Sequence, residues 1–289
     1  MNQSKTAVII DSGCDLSNEL IQKYDIKVLR LKVMYGNDVY NDGLDIDPLE
    51  IYKRFPKEIP TTSTPNLYEV KELLKSIRAE GYERAIAITI SSGLSGTYNA
   101  VAAAFKEFKD MECFAFDSRN ISIGSGLFAL WAAKKAEEGM NFRDICNGLS
   151  DKVGDSKVFF YMDTLDYLRK GGRISPAVAT VGKVLNLKPI ISCNSEGTYY
   201  TEAKIRGANK GLTKLIEKVS AYVSDSRAKG SRVCLALMNG NAPETALQLK
   251  PQLLAAIPSA EIIVEKQITA TMAINTGPGL IGVGVFIED

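Results

Sequence analysis

The sequence predicts an α/β protein of two α/β domains, the first built on a doubly wound, mostly parallel sheet and the second on a mixed sheet. Three observations carry that prediction. From Thr6 onward, short β-branched runs alternate with stretches of helical periodicity, the pattern of βαβ units. The alternation pauses at the polar stretch "SDKVGDSK" and then begins again. At 289 residues the chain is also longer than one average domain. The expected domains are residues 1–152 and 153–289.

Each element has a local reason. "TAVIID" reads as a buried parallel strand, and "DLSNELIQKY" has the apolar spacing of a helix. "IKVLRLKVMYG" alternates and is β-branched, so it reads as one second strand. Asp47 is placed to cap a helix whose first position is Pro48. "NLYEVKELLKSIRAEG" puts Leu67, Val70, Leu73, Leu74 and Ile77 on one helical face and closes at Gly81. Strand "RAIAITI", a hydroxyl-rich loop with its helix, strand "ECFAF" and helix "GSGLFALWAAKKAEEG" complete the first domain. The second runs from strand "VFFYM" through short helix "DTLDYLRK" to helix "PAVATVGKVL", entered through Ser175 as cap and Pro176. Strand "LKPIIS" and the turn "CNSEGT" into "YYTEAKI" make a hairpin. Helix "GLTKLIEKVSAYVSDSRAK", strand "RVCLALM", helix "PETALQLKPQLLAAI", strand "AEIIVEK" and the closing "IGVGVFIED" follow.

Composition removes whole classes of function. The chain has no histidine, which excludes serine–histidine–acid and cysteine–histidine catalysis and every histidine-ligated metal. Thirty-five basic and 34 acidic side chains leave a formal charge of +1, with no basic block, so nucleic acid is not an expected partner. The five cysteines are scattered without a C-x-x-C pair, which points to apolar packing instead of a disulfide framework or a zinc site. No run approaches the ~18 apolar residues of a membrane span. The N-terminus has no signal-peptide pattern, so the expected location is the cytoplasm. No cofactor and no metal are expected.

Hydroxyl groups dominate the loops that follow strands. "SSGLSGTYNA" leaves a strand and enters a helix, offering Ser92, Ser95 and backbone N–H groups at a helix N-terminus, where an anion is favoured. Either serine could equally be a simple helix cap. The loop lacks the lysine of a P-loop and the last glycine of a G-x-S-x-G elbow. "IPTTSTPN" supplies Thr61, Thr62, Ser63 and Thr64, and "FDSRNISIGSG" supplies Asp117, Ser118 and Ser122. In a doubly wound sheet such loops converge at one crevice. "GPGLIGVG" contains G-x-G-x-x-G at Gly277, Gly279 and Gly282, yet only Val283 to Asp289 follow, too few for a βαβ unit. It reads as tight turns or close backbone approach. In "YLRKGGRISP", capping explains every residue except Arg173, whose guanidinium could pair with an anion or with a surface acid.

Taken in order, "DSGCDLS", "TSTP", "SSGLSGTY", "DSRNISIGSG", "YLRKGGRIS", "LKPII" and "NTGPGLIG" resemble the DegV family of fatty-acid-binding proteins across nearly the whole chain. The resemblance implies a long apolar tunnel between the two domains, holding one long-chain fatty acid. It also implies a carrier without catalytic residues of its own, the bacterial fatty acid kinase subunit that presents the acyl carboxylate to a separate ATP-binding kinase subunit. The product would be acyl phosphate for phospholipid synthesis. Carried residue by residue, the carboxylate-binding hydroxyls are Thr62 and Ser95. Arg173, Asn275, Thr276, Ser92 and Ser118 fall near the head group, and Arg206 of "EAKIRGANKG" matches the position that engages the kinase subunit. Asn275 stands where the family commonly has histidine, and asparagine cannot carry a proton or a positive charge. Two other readings fit the same residues: a stand-alone enzyme acting on a small anionic or phosphorylated substrate, and a lipid sensor or buffer uncoupled from any kinase.

Overall fold

In the computed structural model, which describes residues 2–55, 57–174, 187–225 and 231–288, parallel strands and helices alternate through the first half. The order is β1 (Thr6–Asp11), α1 (Asn18–Lys23), β2 (Lys27–Leu29), β3 (Lys32–Tyr35), β4 (Asp38–Asn41), α2 (Pro48–Arg54), β5 (Thr61–Ser63), α3 (Leu67–Ala79), β6 (Arg84–Thr89), α4 (Thr97–Glu107), β7 (Glu112–Asp117), α5 (Ile123–Glu137) and α6 (Phe142–Asp151). The second half holds β8 (Ser156–Tyr161), α7 (Asp166–Lys170), β9 (Leu187–Cys193), β10 (Tyr199–Arg206), α8 (Ala208–Asp225), β11 (Arg232–Gly240), α9 (Pro243–Ala256), β12 (Ala260–Gln267), α10 (Ala270–Thr276) and β13 (Leu280–Glu288). Side-chain caps start α1, α2, α3 and α6. Asp47 accepts the Leu49 N–H, and Asn66 with Glu69 closes a reciprocal capping box.

The fold is mixed α/β. Strands β2-β1-β6-β7 form a four-stranded parallel sheet, and β10-β9-β8-β13-β11-β12 form a six-stranded mixed sheet in which β11 and β12 are the parallel pair. A third, antiparallel sheet has the order β4-β3-β5. Alternation along each strand sorts side chains to two faces. On β1, Ala7 and Ile9 pack under α3 and α4, while Val8 and Ile10 face α5. On β13, Val283 and Val285 pack under α8 and α9, while Phe286 faces α5. Five layers result, with α5 in the middle.

That middle position explains the composition of α5. Every residue from Ile121 to Ala133 is buried, as a helix apolar on all sides requires. Its glycines set how near the neighbours come. A Cβ on Gly126 would overlap the Cys14 carbonyl oxygen, and one on Gly284 of β13 would lie 2.7 Å from Ile123 Cγ2.

Several expectations change. The segment expected as one second strand is two, β2 in the parallel sheet and β3 in the small one. The chain turns between them because the Leu31 N–H donates to Ser12 Oγ at 3.0 Å instead of a ladder partner, while the Arg30 guanidinium holds the Asp42 carbonyl at 3.0 Å. Leu67, expected on the core face of α3, is exposed at the first position of the helix, before the buried stripe of Val70, Leu74 and Ile77 begins. Helices α6 and α10 and the small sheet were not anticipated. The helix expected over "PAVATVGKVL", with Ser175 and Pro176, lies outside the described residues. Gly126→Ala should lower stability by ~1–3 kcal/mol through overpacking against backbone; chemical denaturation reads this, and an unchanged midpoint would show that α5 has room to move.

Candidate functional site

Strands β1, β6 and β7 are parallel neighbours, so the loops leaving their carboxyl ends lie side by side. Hydrogen bonds bind the loops into one unit. Asp11 accepts the Ile90 N–H at 2.8 Å and the Gly13 N–H at 2.9 Å, and the Ser91 N–H donates to the Asn120 carbonyl at 2.7 Å. The β9–β10 hairpin presses on the same edge at Gly197, where φ is +74° and a side chain would collide with Ser91. Glycine is required there by both conformation and space.

Between these loops, β5, α10 and the hairpin lies a cavity of about 270 Å³. Leu31, Ile90, Leu94, Ile121 and Met272 make its apolar wall, and Thr62, Ser63, Thr64, Ser95, Thr271 and Tyr199 bring hydroxyls to it. Thr62 pairs with Val33 in the small sheet, and strand alternation turns both to the inner side. Ser95 Oγ lies 2.9 Å from Thr97 Oγ1 and accepts the Thr97 N–H at 3.3 Å. Neither Ser95 nor Ser92 is the cap of α4. That position belongs to Gly96, which gives no side-chain bond; Ser95 Oγ takes the Thr97 N–H instead, and because Gly96 itself lines the cavity the positive end of the helix dipole lies at its edge.

Arg173 and Asn275 also line the cavity. Arg173 is exposed, its Nη1 donating to the Gly171 carbonyl at 2.5 Å. Asn275 Nδ2 donates to the Thr271 carbonyl at 3.1 Å, while its Oδ1 packs where a side chain on Gly171 would have to go. The close approach of Gly171 is what brings Arg173 beside α10. The other residues carried over from the family lie off the lining. Ser92 is exposed and donates to Asp117 at 2.5 Å, Ser118 is buried 2.8 Å from Ser125, and Thr276 donates to the Met272 carbonyl at 2.9 Å. Arg206 ends β10, seven residues from Tyr199 and thus ~23 Å along the strand. Thr271 and Tyr199 escaped the sequence reading. Thr271 was visible only as a residue four before Asn275, a helical spacing hidden by the short segment and the glycines after it.

The described lining contains no carboxylate, cysteine or lysine, and Arg173 is its one charged side chain. Burial holds the Tyr199 hydroxyl well above its ordinary range, so it stays a neutral donor. The wall can hold an anion but supplies no ordinary general base. Among the described residues no group of acidic, cysteine or histidine side chains could hold a metal ion. A larger hollow of about 480 Å³, at Ser4, Arg84, Glu112 and Arg143, is open and polar, and its charges already pair, Arg84 with Glu112 at 3.4 Å. Phe142 is the one apolar side chain of its described lining.

The family model described as "Uncharacterised protein, DegV family" matches residues 5–288. A DegV domain-containing protein of Clostridium acetobutylicum is 37% identical over 282 residues, covering 98% of this chain and 99% of that one. Among solved structures, a fatty-acid-binding DegV family protein from Thermus thermophilus is similar with a TM-score of 0.89 at 26% identity, covering 99% of this chain and 100% of that one. DegV of Bacillus subtilis, described as a fatty acid binding protein, gives 0.86 at 28% identity with 100% of both chains covered. A stearic acid-binding protein from Eubacterium ventriosum gives 0.88 at 25% identity over 98% of each chain.

Behind the hydroxyl-bearing lining sit three buried carboxylates, Asp11, Asp15 and Asp42. Burial pushes Asp11 up to about 7 and Asp15 up to about 6, against the lowering pull of backbone N–H groups on both and of Lys266 on Asp15. In the unfolded chain each titrates near 3.9. The folded state therefore holds the extra protons between these values, so stability is greatest at low pH within this window and falls as pH rises through 6 and 7. Denaturation midpoints should drop between pH 5 and pH 8, and Asp11→Asn should flatten the slope. A midpoint that rises over the same interval would contradict this assignment.

Proposed function

The chain belongs to the DegV family, and on that premise we propose that it binds one long-chain fatty acid, with the carboxylate at Thr62 and Ser95 and the tail against the apolar wall. The observation that carries this reading is convergence. Thr62, Ser95, Arg173 and Asn275 come from four distant segments and line one cavity that has hydroxyls and apolar side chains but no acid among its described residues. The relatives of the same fold described as fatty acid binding support it. Energetics favour it as well. A tail of about 15 methylenes offers roughly 12 kcal/mol gross before the costs of association, so the tail sets affinity. Each hydrogen bond to the charged carboxylate adds about 1.5–3 kcal/mol, so the hydroxyls set which end faces the loops.

The acid so held is presented to an ATP-binding kinase subunit. A carboxylate oxygen attacks the terminal phosphorus of ATP on the partner, the new C–O–P linkage forms, and ADP leaves. Arg206 serves as a contact for that partner. Its distance from the cavity suits a macromolecule that spans both points. A second reading, a lipid buffer uncoupled from a kinase, is favoured by one residue: Asn275 cannot supply the positive charge or proton that the family's histidine can.

Native mass spectrometry of the freshly purified protein, followed by extraction, should release one long-chain fatty acid per chain. Thr62→Ala with Ser95→Ala should weaken fatty-acid binding at least tenfold without unfolding the protein, since both residues are on the cavity edge. Unchanged affinity would move the carboxylate elsewhere, and a protein that neither carries nor takes up fatty acid would end the lipid reading. Acyl phosphate formation with an added kinase subunit separates the carrier from the buffer.

A further inference from the structure

Tyr199 stands apart from the other buried tyrosines. Tyr82 donates to Asp25 at 2.6 Å and Tyr161 to Asp163 at 3.4 Å, while the Tyr35 oxygen is fully enclosed. Tyr199 is 9% exposed and lines the cavity, and its oxygen neither bonds to a described residue nor belongs with the enclosed atoms. The hydroxyl therefore keeps an open surface, and the surface open to Tyr199 is cavity. A buried tyrosine hydroxyl ordinarily has a partner, so one left open on a cavity wall is placed for a ligand atom. Strand alternation fixes its direction. Tyr199 pairs with Cys193 across the hairpin and joins Ile191 on the α5 side of the sheet, whereas Tyr200 turns to the other face and accepts from Lys157 at 2.9 Å.

Its surroundings restrict what that ligand atom is. Burial raises the Tyr199 pKa and Cys193 adds to it, but Arg173 pulls it down, which places the guanidinium within electrostatic reach of the hydroxyl. Both groups offer protons, and the described lining holds no carboxylate to receive them. Asp15 lies behind the wall with its oxygens engaged by the Thr269 N–H and the Ser122 hydroxyl. An anionic oxygen suits both donors. A carboxylate has two oxygens with about four acceptor positions, more than the hydroxyls of Thr62 and Ser95 can fill.

We propose that Tyr199 is a third donor to the ligand carboxylate, holding with Arg173 the acceptor positions that Thr62 and Ser95 leave open, so that the cavity selects a free, ionised acid over an uncharged lipid head group. This rests on the fatty-acid reading above and adds a residue and a specificity to it. The hairpin supplies the donor, and the contact of Gly197 with the Ser91 loop keeps it in place.

Titration calorimetry of the delipidated full chain with palmitate and with 1-hexadecanol, an equally long chain without a carboxylate, tests it. Tyr199→Phe, which keeps the ring, should weaken palmitate about tenfold, a difference of ~1.4 kcal/mol, and hexadecanol by less than about threefold. The thermal midpoint of the ligand-free variant should match that of the unaltered protein, since no internal hydrogen bond is lost. Unchanged palmitate affinity, or an equal loss for both ligands, would overturn the inference while leaving fatty-acid binding in place. A lowered midpoint would give the hydroxyl a partner inside the protein and overturn it as well. If the unaltered protein does not bind palmitate, the inference falls together with the lipid reading.

Discussion

Helix α5 belongs to both large sheets at once, and the positions of the other parts follow from that. One side of it covers the β1 and β6 side chains Val8, Ile10, Ile86 and Ile88, and the other covers Val158, Phe160 and Phe286 of the mixed sheet. Between the sheets such a helix carries no charged residue, its buried Ser125 is hydrogen-bonded to Ser118, and it needs glycine wherever a backbone approaches. Its start is equally constrained. Ser122 adopts a positive φ of 53° and donates to Asp15 at 2.5 Å, while Asn120 Nδ2 reaches across to the Ser156 carbonyl at 3.1 Å. The β7–α5 loop is thereby pinned to both halves of the chain, and Ile121 within it becomes a fixed part of the cavity wall.

The site is arranged in two polar shells of different character. Neutral hydroxyls face the cavity. Carboxylates stand behind them and hold the scaffold: Asp15 accepts the Thr269 N–H at 2.8 Å and Asp42 the Thr271 N–H at 2.9 Å. The short α10, which brings Thr271 and Asn275 to the site, is thus oriented by two acids from the opposite end of the sequence. Burial disfavours the ionised form of Asp11 and Asp15, which lowers the negative charge behind the cavity wall.

What could be read from the sequence was whatever local spacing encodes. The strand "TAVIID", the capping of α2 by Asp47 and the amphipathic stripe of α3 each announce themselves within a dozen residues. The convergence of post-strand hydroxyls was legible too, because parallel topology places strand ends together whatever the details. Non-local causes were not. The break between β2 and β3 depends on Ser12, nineteen positions earlier, taking the Leu31 N–H. Helix α10 spans seven residues and owes its place to Asp15 and Asp42, so its own sequence could not reveal it. The same holds for Ser92 and Ser118: both sit in the right loops, but Asp117 and Ser125 engage their hydroxyls away from the cavity.

The central helix also decides how the molecule can move. Swinging the two sheets apart would wet Ile123, Leu127, Phe128, Leu130 and Trp131, at about 1.5–3 kcal/mol for each. The total is on the order of 10 kcal/mol, comparable to the whole stability of an ordinary domain. A hinge between the halves would therefore be as rare as global unfolding. Any guest that enters and leaves on a useful timescale must pass through a local fluctuation at the periphery. The three-stranded sheet lies at that rim: it reaches the cavity through Thr62, it is made of strands of three or four residues, and Val39, Leu44, Ile59, Leu67 and Tyr68 in and around it are already exposed to water. Rigidity at the centre thus confines breathing to the rim.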